Sequence, residues 1–71
     1  MLTREINIEI GSEAEETFLN EIVPYFVFPV YVRPYSIFSF NRVNTYEISL
    51  VDHFRMIKRI NQLRREKRIG A

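Results

Sequence analysis

Cysteine is absent from the 71-residue chain, which excludes disulfide bonds and thiolate metal sites. A single histidine, His53, rules out an imidazole-rich metal site within one copy. Glycine occurs only at Gly11 and Gly70, too sparse for a glycine-rich loop that cradles phosphate. A long uninterrupted apolar run is also missing. The stretch from Ile22 to Phe40 has the length of a membrane span, but Pro24, Pro29 and Pro34 would break it as a helix and Arg33 lies inside it. Residues 1–10 alternate charge with isoleucine and lack the apolar segment of a signal peptide. We therefore expect a cytoplasmic protein, outside the membrane and without metal, cofactor or small-molecule substrate.

Residues 1–71 suffice for one domain. A chain of this size buries only about 60% of its unfolded surface, and its core supplies roughly 3–5 kcal/mol. With disulfides and metal excluded, association is the remaining source of stability. The generous hydrophobic content of 46% fits that expectation.

The net charge of +1 conceals two poles. Residues 1–24 carry six glutamates against Arg4, a balance of −5. Residues 49–71 carry seven cations against Asp52 and Glu66, a balance of +5. Such separation orients partners by complementary charge.

Ile6, Ile8 and Ile10 alternate with polar residues, the period of a strand with one wet face. Gly11 ends it. Ser12 and Glu15 stand at capping-box spacing, and Ala14, Phe18 and Ile22 continue at helical spacing, predicting a helix from about 13 to 22 that Pro24 stops. Tyr25 to Arg33 is apolar on both alternating faces, which reads as a covered strand; Pro29 assigns it to an edge or a bulge. Tyr35 to Phe40 and Thr45 to Ile48 predict a hairpin with a loop at 41–44. Ser49 and Asp52 repeat the capping spacing. Leu50, Phe54, Ile57, Ile60 and Leu63 then form the stripe of a basic helix from about 49 to 68, with Gly70 placed as its cap.

The expected fold is α+β: a small antiparallel sheet of three or four strands and two helices on one face, in the order β-α-β-β-(β)-α. That order resembles a ferredoxin-like βαββαβ unit without its last strand, a likeness of topology that implies no activity.

Two surfaces emerge as candidates. The first is the cationic helix, where Arg55, Arg59, Arg64, Arg65 and Arg68 suit bidentate contact with an acidic protein or with nucleic-acid phosphate. Against this stands a solvated face whose cations pair with the acidic first helix. The second is the aromatic run, with Tyr25, Phe26, Phe28, Val30, Tyr31 and Val32 as an oligomer interface. A base-stacking sheet is disfavoured, because only Arg33 is interleaved. Asp52 and His53 are adjacent and point about 100° apart on a helix, so they form no ready dyad. No catalytic residue is assigned and an enzyme is not expected. The leading expectation is a binding or assembly module, a homo-oligomer or the partner of an acidic protein surface. Nucleic-acid binding by the basic helix is second, and inhibition of a cellular enzyme is third.

Overall fold

The computed structural model describes residues 2–38 and 40–70, the last three of them by backbone alone. Its elements are β1 (Thr3–Glu9), α1 (Glu13–Thr17), β2 (Tyr31–Arg33), β3 (Val43–Ser49) and α2 (Leu50–Gly70). The chain is an α+β domain with strands preceding the final helix. The sheet runs in the order β1-β3-β2, and both pairings are antiparallel. β1 and β2 are therefore parallel to each other, with β3 between them, the arrangement of a split βαβ unit.

Strand periodicity sets the two faces. Ile6 is registered with Tyr46, and both point inward together with Ile8 and Ile48. Glu5, Asn7, Thr45 and Glu47 occupy the opposite, polar face. There Thr45 Oγ1 donates to Asn7 Oδ1 at 2.8 Å, and Arg33 reaches Glu5 at 3.5 Å. The helices cover only the inner face, so the molecule is thin, with a smallest extent of 14 Å between Cα positions.

Ile8, Phe18, Ile22, Tyr46 and Ile48 form the buried core, walled by Ile6, Val23, Phe26, Val30, Met56 and Ile60. Phe18 is central. Its ring lies 4.8 Å from that of Tyr46 and meets Phe26 edge-on at 6.0 Å.

The β1–α1 connection turns at Gly11, whose φ of +79° is the left-handed conformation that glycine tolerates. Ser12 Oγ accepts the Glu15 N–H at 3.2 Å, capping α1, and Glu15 Oε1 accepts the Gly11 N–H. The predicted helix over 13–22 is present but changes pitch. α1 widens into a π-turn at Phe18–Ile22 and then tightens into a 3₁₀ turn at Val23–Tyr25. Pro24 supplies the reason, because it has no N–H for the carbonyl that an α-helix would present four residues earlier. The chain thus passes through Pro24 instead of stopping there.

The strand expected over 45–48 is present within β3, and the two expected before it differ. The strand expected over 25–33 is confined to Tyr31–Arg33. Val27 and Phe28 give their N–H groups to Asp52 rather than to a ladder, and Pro29 has none to give. The strand expected over 35–40 and its hairpin are absent among the described residues, Ser39 lying outside them. Tyr35 donates instead to Asn44 Oδ1 at 3.1 Å, and both edges of β3 are already taken by β1 and β2.

α2 begins where Ser49 predicts, with Ser49 Oγ accepting the Asp52 N–H at 3.0 Å, and Gly70 is its last helical residue. Its orientation is the larger correction. Met56 and Ile60 pack on the core, Leu63 is half-buried, and Phe54 is 59% exposed. The helix is turned by roughly a quarter-turn from the face that its apolar stripe predicts, counting 100° per residue. Asp52 and Arg59 occupy the inward side, and their bonds to the segment 21–28 hold the helix in that setting.

Candidate interaction surface

The N-terminal turn of α2 is built around Asp52, a carboxylate with 0% exposure. One of its oxygens accepts the Val27 N–H at 2.9 Å and the other the Phe28 N–H at 3.0 Å. The helix N-terminus adds favourable dipole charge. The chain from 26 to 30 is thereby fixed in an irregular bend that tips Val27 and Phe28 outward while Phe26 and Val30 pack on the core. With both oxygens occupied by amides, Asp52 does not bond to its neighbour His53. The ring of His53 meets Phe54 edge-on at 6.0 Å, and its Nδ1 has no hydrogen-bond partner.

Of the arginines singled out in the sequence, Arg55 and Arg59 are engaged within the chain. Arg55 Nε donates to the Tyr25 carbonyl at 2.8 Å. Arg59 Nε donates to the Glu21 carbonyl, and its Nη2 pairs with Glu21 Oε2, both at 3.0 Å. The Arg59 guanidinium also lies over the Tyr25 ring, 4.3 Å from its centroid, and its side chain is only 12% exposed. Arg64 and Arg65 are exposed, as is Lys58. The side chain of Arg68 lies outside the described residues. Lys67 reaches Glu13 at 3.7 Å across the surface, an exposed pair worth little in water.

Of the aromatic-run residues, Tyr25, Phe28, Tyr31 and Val32 are exposed, and Phe26 and Val30 are partly buried. Around Phe28 the apolar surface extends beyond the segment that the sequence marks. Phe28 and Tyr31 share a depression with Thr3 and Ser49 at the end of the sheet. The Leu50 N–H donates to the Leu2 carbonyl at 3.0 Å, which brings exposed Leu2 beside the start of α2. Val51, Phe54 and Ile57 add exposed side chains along that helix. Ile37, Phe38 and Phe40 protrude from the segment between β2 and β3.

The sequence does not mark Val51, Phe54 and Ile57 as surface, because Leu50, Phe54 and Ile57 read as the buried stripe. It carries one signal: Met56, Ile60 and Leu63 form a second stripe beside the first. A helix apolar over so wide an arc leaves one part uncovered against a single sheet.

An open groove of about 520 Å³ runs between α1 and the C-terminal half of α2, floored by Ile60 and Leu63 and rimmed by Glu21, Arg64 and Lys67. Among the described residues no three or more of His, Cys, Asp and Glu converge in a metal-binding group. No helix is long and apolar enough to cross a membrane among them. Comparison of the chain with protein-family models, with curated proteins and with solved structures finds no match.

Proposed function

We propose that the chain is a small binding and assembly module that acts through protein–protein contact, its apolar surface covered by a second copy or by another protein with an acidic surface. One observation carries the reading. Among the described residues, thirteen large apolar side chains are at least 40% exposed, whereas five make up the buried core. Scattered apolar residues are ordinary on a surface, but a set larger than the interior is a cost that association removes. The basic outer face of α2, with Lys58, Arg64 and Arg65, suits an acidic partner and would set its orientation rather than most of its affinity.

Light scattering over a range of concentration tests this reading against the Phe28→Asp variant. The native chain is expected to associate and the variant to associate more weakly while keeping its circular dichroism. A native chain that stays monomeric at high concentration removes self-association from the proposal.

Nucleic-acid binding by α2 is the second reading, favoured by the exposure of Lys58, Arg64 and Arg65. Commitment of Arg55 and Arg59 to Tyr25 and Glu21 leaves fewer cations to neutralise phosphate. A salt titration with single- and double-stranded DNA decides it, since absence of binding at low salt eliminates this reading.

A further inference from the structure

The two edges of the sheet are unlike. β2 offers a pairing edge of three residues, closely bracketed by Pro29 and Pro34. Short length and flanking proline are the usual protections of an exposed edge. β1 is seven residues long and contains no proline.

The backbone bonds at its two ends fix which groups β1 presents outward. The Leu50 N–H donates to the Leu2 carbonyl, and the Ile10 N–H donates to the Arg42 carbonyl, each at the register of the β1–β3 ladder. Even-numbered residues of β1 therefore bond to β3, and Thr3, Glu5, Asn7 and Glu9 direct their N–H and C=O groups away from the sheet. All four residues are exposed. The Glu9 carbonyl accepts from Ser12, whereas the outward groups of Thr3, Glu5 and Asn7 have no partner among the described residues. The sheet thus ends on an open ladder.

We infer that β1 is a docking edge for β1 of a second copy, antiparallel about a two-fold axis at Ile6, giving a continuous six-stranded sheet. The inference rests on the assembly reading for the existence of self-association, and it adds a sheet edge to the apolar surface named there. Register follows from two constraints. Opposed residues must both be outward-facing for their N–H and C=O groups to meet, which admits only odd-numbered residues opposite odd-numbered ones. Charge then selects among the remaining registers. With Ile6 opposite Ile6, Glu5 faces Asn7 of the second copy and Thr3 faces Glu9. Moving one step in one direction sets Glu5 against Glu5, and one step in the other sets Glu5 against Glu9. Both place carboxylates directly opposite each other, which destabilises a strand pair. The register centred on Ile6 avoids this and joins the open groups of Glu5 and Asn7, while the Glu9 carbonyl opposite Thr3 stays with Ser12. It also keeps both inner faces on the same side, so half-buried Ile6 meets its counterpart and the two cores adjoin.

Because the native chain has no cysteine, disulfide trapping reads the register directly. A mixture of Glu5→Cys and Asn7→Cys chains under mild oxidation is expected to yield the mixed disulfide, since opposed residues of a hydrogen-bonded pair lie about 5.5 Å apart at Cα, within disulfide reach. Disulfides formed mainly by either variant alone would overturn the register. Asn7→Pro removes an outward N–H while sparing the ladder to β3, so the variant should fold and its self-association should weaken by at least about tenfold. A chain that associates by light scattering yet forms no mixed disulfide overturns the edge pairing and leaves the assembly reading in place. A chain that never self-associates overturns the pairing as well, and a partner of another kind then remains for the apolar surface.

Discussion

Asp52 has no solvent exposure, yet both of its carboxylate oxygens bond to backbone amides. Its side chain satisfies two amides that the bend at 26–30 cannot pair otherwise, and its own N–H is held by Ser49. Removing the carboxylate leaves both amides without a protein acceptor. Asp52→Ala is expected to destabilise the fold by about 2–4 kcal/mol, and Asp52→Asn by less, because one oxygen survives. Urea denaturation of the three proteins checks the order. An Asn variant as damaging as the Ala variant would show that charge, rather than acceptor count, holds the bend. Arg59 is the second such residue. Arg59→Ala loses the Glu21 carbonyl, the Glu21 carboxylate and the Tyr25 ring together, and about 1–2 kcal/mol is expected to go with them.

At the scale of the element, α2 carries the strongest contrast between pattern and placement. Its sequence supports two adjacent apolar stripes, and only one faces the core. Met56→Ala should therefore cost about 2–3 kcal/mol, whereas Phe54→Ser should leave monomer stability within about 1 kcal/mol. Denaturation at low concentration separates the two, and equal losses would place Phe54 in the core after all. The same variants test association in the opposite sense, with Phe54→Ser the more harmful. The segment Phe18–Ile22 makes a related point. Its wide turn keeps Phe18 and Ile22 in the core although Pro24 denies the helix its regular bonding.

For the molecule as a whole, the interior is small and the charge is divided. Five buried apolar residues among those described are few for a stable monomer, so Phe18→Ala, at a cost of about 3–5 kcal/mol, is expected to leave the chain largely unfolded at ambient temperature. A native-like near-ultraviolet spectrum for that variant would contradict the estimate. The acidic pole lies in β1 and the first helical segment, and the basic pole in α2. Some of that charge is compensated within one copy, through Arg59 with Glu21 and Lys67 with Glu13. Most of the other charged side chains among the described residues are exposed and open to screening. Raising salt from about 0.05 to about 0.5 M should slow association with an acidic partner more than it lowers monomer stability.

Local patterns determined a good deal of this protein. The isoleucine alternation of β1, the caps at Ser12 and Ser49, the start of α2 and the α+β class all follow from neighbours along the chain, since strand periodicity and helix capping involve residues only a few positions apart. Absence of cysteine and scarcity of glycine and histidine limited its chemistry in the same direct way. Tertiary structure decided the rest. β3 pairs with β1 across the chain rather than in a hairpin with 35–40, because burying Ile6, Ile8, Tyr46 and Ile48 on one face requires that long-range partner. Asp52, separated by 24 and 25 positions from the amides it holds, turns a strand-like run into a bend and sets the rotation of α2. Which apolar side chains meet the core and which are left exposed depends on that contact, and no periodicity within either segment records it.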